Sequence, residues 1–175
     1  QTRKKTLILA GGTLFSVIYI FIPLSLVIPI GFFENEIYNY KILFGLLILI
    51  WSSDSWAFVC GNLFGRHKLS ERISPNKTWE GFIGSIILTT ATGYVISNNG
   101  FGLSQIEWMI LGALTSISAT LGDLFQSMLK RESNIKDSGN ILPGHGGILD
   151  RFDSILLCFP IFYLYLYYIN PILNY

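Results

Sequence analysis

Charge is scarce in this sequence. Lys and Arg number 12 and Asp and Glu 11 among 175 residues, 13% of the chain, for a balance of +1. No overall basic field therefore argues for nucleic acid as a partner, and electrostatic arguments must rest on where the charges fall. Cysteine is rarer still: Cys60 and Cys158 stand far apart in apolar surroundings, which reads as two packing residues rather than a disulfide or metal pair. Histidine occurs only at 67 and 145, so no cluster of soft or imidazole ligands can form, and zinc is disfavoured against a hard cation. No repeat, low-complexity tract or flexible linker divides the chain, which leaves a single membrane-embedded domain over residues 1–175.

Apolar side chains fill the space that charge leaves. Hydrophobic residues make up 51% and mean hydropathy is +0.50, outside ordinary soluble composition. A bilayer core needs about 20 apolar residues as helix. Five segments meet that need: about 7–28, 42–64, 82–97, 106–128 and 148–169, with Pro23 and Pro29 bending or ending the first. The expected fold is an all-α, polytopic transmembrane bundle. The chain opens at Gln1 and enters an apolar run longer than a signal-peptide core, so it is expected to be a fragment or excised domain of a longer membrane protein.

The basic residues test this topology. Arg3, Lys4 and Lys5 precede the first span; Arg66, Lys68, Arg72 and Lys77 follow the second; Lys130, Arg131, Lys136 and Arg151 follow the fourth or open the fifth. With five spans these eleven of twelve cations share one face, which the positive-inside rule makes cytoplasmic. Only Lys41 lies on the other face.

Two of those loops hold more than orientation requires. In "SPNKTWEG", Ser74 before Pro75 fixes a turn, while Lys77, Trp79 and Glu80 stand at the mouth of the next helix. Thr78 or Asn76 can cap that helix, whose N-terminal end would attract phosphate. Two acids, Asp54 and Asp123, lie inside apolar spans, where a carboxylate is costly and marks a polar cavity or a partner. A helix-to-helix hydrogen bond is the plain alternative for Asp54. Asp123, Ser127 and Lys130 fall on one helical face and lead to the strip "SMLKRESNIKDSGNILPGHGGILDRFDS".

That strip concentrates eight charged residues between Lys130 and Asp153. Its "PGHGG" offers backbone that approaches an anion closely. Asp150 and Asp153, three apart, are expected on one helical face, presenting carboxylates to one cation or a pair. Carboxylates for a metal, with Lys and Arg around them, suit a polyphosphate. His145 reads more readily as a loop residue than as an acid, base or ligand.

The same strip resembles, nearly position for position, the C-terminal signature of the CDP-diacylglycerol synthases, or phosphatidate cytidylyltransferases. "WSSDSWAFVCGNLFGRHKLSERISPNKTWEG" is similar to that family's upstream motif, with Ser53 and Ser55 where many relatives have Asn and Thr. The resemblance spans about 51–154. It implies an integral membrane enzyme that joins CTP and phosphatidate, giving CDP-diacylglycerol and pyrophosphate with magnesium, and leaves room for a second cation and a homodimer. Family members usually carry more spans than five, so the resemblance is to their C-terminal catalytic portion; its apolar spans, set in the lipid bilayer, would hold the two acyl tails, and the site would face the cytoplasm, as expected of a bacterial inner-membrane protein. By the same resemblance Asp123, Asp150 and Asp153 surround the metal, and Asp137 belongs to the signature. Lys130, Arg131, Lys136 and Arg151 are expected to hold the triphosphate with Ser74, Lys77, Thr78 and Trp79. Gly144, His145, Gly146 and Gly147 would shape the phosphate loop. Alternatives of the same chemistry are a CDP-archaeol synthase or a polyprenol or phytol kinase; an ion transporter is the alternative of another class.

Overall fold

The computed structural model describes residues 2–33, 37–133, 135, 138–139, 147 and 149–169, without the side chains of 2–5, 7, 8 and 151. Within these, the protein is a helical bundle carrying one small hairpin. Helix α1 spans Thr2–Ser25, α2 Val27–Gly31 and α3 Tyr40–Phe64; strands β1 (Lys68–Ser70) and β2 (Ser74–Thr78) form the hairpin; α4 is Trp79–Ser97, α5 Gln105–Glu132 and α6 Asp153–Leu164.

All five apolar segments are helical, though not all are long. Leu9–Gly31, Tyr40–Phe64 and Gln105–Glu132 are long and apolar enough to cross a membrane, whereas the apolar stretch Asp153–Ile169 is shorter. The first span is interrupted. Pro23 has no N–H to return to the preceding turn, α1 ends two residues later, and Leu26 bridges to α2 by donating to the carbonyls of Ile22 and Pro23. The last span is also broken: a 3-10 turn covers Leu149–Arg151 before α6, and a π turn covers Tyr165–Ile169 after it.

Helix ends are set by local chemistry. Asn39 caps α3 by accepting from the Lys41 N–H at 3.1 Å. Thr78, not Asn76, caps α4, its hydroxyl accepting from the Gly81 N–H at 3.2 Å. Ser104 and Glu107 form a capping box at the start of α5, and Lys130 and Arg131 occupy its last turn, where cations complement the helix dipole.

The helices meet along seams of small residues, as helices in lipid do when backbones must approach closely. A methyl group on Gly112 would come within 2.6 Å of the Thr89 carbonyl, and one on Gly81 within 2.8 Å of the Ala57 carbonyl. Ser85 and Ser116 hydroxyls, 2.6 Å apart, tie α4 to α5, and Ser118 reaches Cys158 at 3.3 Å between α5 and α6. Both cysteines are free and buried, as their apolar surroundings suggest. Trp108, Leu46, Leu49, Leu111, Phe162 and Leu166 form the centre of the packed core. Leu9, Phe21, Phe58, Ile87 and Ile106 point outward, an apolar exterior suited to hydrocarbon rather than water.

A carboxylate-lined cavity at the helix ends

The C-terminal half of α3, the hairpin, the start of α4, the later part of α5 and the first residues of α6 enclose a cavity of about 670 Å³. Asp54 enters from α3, Asp123 from α5 and Asp153 from α6, while Lys68, Ser74 and Lys77 come from the hairpin. Lys77 crosses to α5, its Nζ 2.6 Å from Asp123 Oδ2, and the Ser127 hydroxyl donates to the other oxygen of Asp123 at 3.2 Å. The polar stripe from Asp123 to Ser127 is therefore present. Asp54 lies within electrostatic reach of Lys77, Asp153 and Asp123.

Local sequence explains how a polar hairpin reaches this depth. The turn after α3 gives β1, which pairs antiparallel with β2, Lys68 opposite Thr78 and Ser70 opposite Ser74, with an irregularity between. The last residue of β2 caps α4, so strand and helix follow without a linker. Gly61, Gly65 and Gly81 surround the Thr78 side chain, and any larger residue there would push the hairpin off the bundle.

Asp150 and Asp153 do not share a helical face, contrary to the spacing argument. Asp150 lies in the 3-10 turn and Asp153 opens α6, so no single helix carries both. Asp153 lines the cavity. Asp150 is held in the strip: Lys130 Nζ lies 2.9 Å from one oxygen, and the other accepts from the Ser138 N–H at 2.9 Å, the Ser138 hydroxyl at 2.9 Å and the Gly147 N–H at 3.0 Å. Burial alone would push its carboxyl up, but Lys130, Ser138 and Gly147 outweigh that and hold it well below the usual carboxylate range;.

The remaining expected site residues distribute unevenly. Thr78 lines the cavity as Lys77 and Ser74 do. Trp79 is not among the lining residues; it is 48% exposed and packs edge-on against Phe82. Arg131 is exposed at the end of α5. Gly147 is buried, contributing its N–H to Asp150. Lys136, Asp137, Gly144, His145 and Gly146 lie outside the described residues, as does the side chain of Arg151. Asp54, whose place in an apolar span predicts a polar cavity or a partner but no specific role, faces the same cavity as Asp123 and Asp153, as do Thr120 and Ser154. The signal for Asp54 was its position, an acid in an apolar helix.

The donor set suits a hard cation: three carboxylates and four hydroxyl-bearing residues converge on one space;. Among the described residues no group of three or more His, Cys, Asp and Glu side chains is already gathered closely enough to hold a metal ion. A cation there would draw Asp123 and Asp153 together rather than enter a finished cage.

An apolar helical bundle with acids and lysines lining a cavity at its helix ends defines an integral membrane protein. The chain belongs to the cytidylyltransferase family, whose model matches residues 2–169. It is 42% identical to a phosphatidate cytidylyltransferase of Rickettsia bellii over 164 residues, 90% of this chain and 68% of that protein. Phosphatidate cytidylyltransferases of Haemophilus influenzae and Bacillus subtilis are each 43% identical, over 70% and 74% of this chain and 44% and 48% of their own lengths. The chain thus spans about half to two thirds of these relatives.

Proposed function

We propose that this chain is the catalytic portion of a phosphatidate cytidylyltransferase, transferring CMP from CTP to phosphatidate. The observation that carries the reading is the cavity in which Lys77 meets Asp123 beside Asp54 and Asp153, in a chain whose relatives bear that activity by name. A phosphatidate phosphate oxygen attacks the α-phosphorus of CTP, a new P–O bond forms, the bond between the α-phosphorus and its bridging oxygen breaks, and pyrophosphate leaves with that electron pair. The attacking phosphate is already an anion near neutral pH, so positioning and charge neutralisation are the main demands.

Lys77 and Lys68 line the cavity beside Ser74, Asn76 and Thr78, and would hold triphosphate oxygens. Magnesium, when bound, would supply positive charge that offsets the charge of the phosphates. Asp123, Asp150 and Asp153 are the proposed metal set. Asp123 and Asp153 already face the cavity, Asp54 adds a carboxylate there, and Asp150 joins only by exchanging Lys130. Lys130, Arg131, Lys136 and Arg151 neutralise the leaving pyrophosphate. The proposal places the protein in a bacterial inner membrane with the cavity facing the cytoplasm, supported by the basic residues gathered at that end. A homodimer belongs to the same proposal through the family resemblance.

The test is incubation of the full-length protein with labelled CTP, magnesium and phosphatidate, followed by lipid extraction. Label in CDP-diacylglycerol is the expected result. Label released only as CDP, with transfer of a phosphate to a lipid alcohol, would replace the reading with a kinase.

A further inference from the structure

We infer that Glu80 is a positioning residue for the nucleotide site, clamping the turn before the hairpin so that Lys77 is held over Asp123. The inference rests on the cytidylyltransferase reading and adds to it a residue outside the cavity.

Glu80 is the second residue of α4, where an acid ordinarily needs no explanation beyond the helix dipole. Its side chain does something else. One oxygen accepts from the Arg66 N–H at 3.1 Å and both oxygens approach the His67 N–H, at 3.2 and 3.3 Å. His67 Nδ1 lies 2.6 Å from Oε1, and because a carboxylate only accepts, that nitrogen carries the proton. The chain answers from the other side, the Trp79 N–H donating to the His67 carbonyl at 3.0 Å. The hydrogen bond from the His67 ring, then those from the backbone, hold Glu80 down to about 2, so the clamp stays charged throughout the neutral range.

Geometry makes this clamp consequential. Residues 65–67 are the short link between α3 and β1, and β1 pairs with the strand bearing Lys77. Lys77 lies three residues before Glu80, with the cap Thr78 between them. Tying the link to the first turn of α4 therefore closes a ring of backbone around the hairpin, and the Lys77 side chain leaves that ring toward Asp123 at 2.6 Å. With the carboxylate gone, the Arg66 and His67 N–H groups turn to water, and the hairpin retains its short ladder, the single backbone bond from Trp79 to His67 and the Thr78 cap.

The test uses the full-length protein with Glu80→Ala, Glu80→Gln, His67→Ala, Lys77→Ala and the Glu80→Ala/Lys77→Ala double variant. Glu80→Ala is expected to raise the KM for CTP about 10-fold with kcat within about 3-fold and the KM for phosphatidate unchanged. Glu80→Gln and His67→Ala, each keeping part of the clamp, should fall in between. Because Glu80 acts through Lys77, adding Glu80→Ala to Lys77→Ala should change the KM for CTP no further. Multiplicative effects in the double variant, or kcat and both KM values moving together in step with melting temperature, would overturn the inference.

A second measurement does not depend on catalysis. Acetylation of Lys77 by acetic anhydride, read by mass spectrometry against Lys130 in the same sample, should quicken several-fold in Glu80→Ala, or in Glu80→Gln if the alanine variant fails to fold. An unchanged ratio rejects the clamp. A wild-type protein that makes no CDP-diacylglycerol rejects the proposed function and leaves this ratio to decide the clamp.

Discussion

Two basic loops flank the cavity, and they use their charge in opposite ways. The hairpin of β1 and β2 spends little charge on itself: its ladder, the Thr78 cap and the Glu80 contacts hold it from backbone outward, leaving Lys77 free to cross to Asp123. The strip between α5 and α6 turns its charge inward, Lys130 and the N–H groups of Ser138 and Gly147 converging on Asp150. Similar composition thus gives one loop that delivers a cation to the site and one that consumes a cation in its own construction. Counting Lys and Arg near a site says little until each partner is known.

The largest effect should come from the cavity acids. Asp153→Asn removes a carboxylate that faces the cavity, and kcat should fall on the order of 10²-fold or more. An unchanged turnover would show that the acids serve packing alone. Asp150→Asn sharpens the contrast, because it should act on stability first. The pair Lys130–Asp150 has side-chain exposures of 17% and 12%, and removing one partner leaves a mostly buried ammonium at a cost of about 3 kcal/mol. Lower melting temperature with activity rescued by cooling would place Asp150 in the scaffold; lost activity at unchanged melting temperature would place it with the metal.

The pH dependence separates the loops further. Asp150 has a folded pKa below its unfolded value, so its contribution is complete above the unfolded carboxylate pKa of about 4 and is lost as pH falls below that. Acid melting curves of wild type and Asp150→Asn should converge at low pH, separate as pH rises to about 4 and keep a constant gap from there to neutrality. Parallel curves throughout would deny the carboxylate its structural role.

Gly122→Ala tests how the strip is joined to the cavity. Its new methyl would stand 2.7 Å from the Asp153 carbonyl, forcing α5 and α6 apart for about 1–3 kcal/mol and displacing Asp153. The smallest effect belongs to the hairpin end: Thr78→Ala should lower stability by about 1 kcal/mol, measured by thermal melting in detergent. A loss several times larger would mean that the cap holds the whole hairpin.

Much of this arrangement is legible in the linear chain, and the rest fails for definite reasons. Apolar runs of bilayer length mark the helices, and Asp123 announces itself as an acid inside one. The spacing of Asp150 and Asp153 predicts a shared face only if one α-helix carries both, and the chain instead changes from a 3-10 turn to α6 between them. The hairpin shows only as a Ser-Pro turn, because strands of three and five residues in a polar loop carry no alternation to detect. Asp54 joins Asp123 and Asp153 across 69 and 99 positions of sequence; only packing of α3 against its neighbours brings them to one cavity.

Thr78 is at once the last residue of a strand, the cap of a helix and a piece of cavity wall. Swinging that wall aside would strip the first turn of α4 of its closing bond. The mouth of the cavity is thereby fastened to a structural seam on this side, like a door hung without a hinge. Any movement that widens the cavity has to come from elsewhere around the rim.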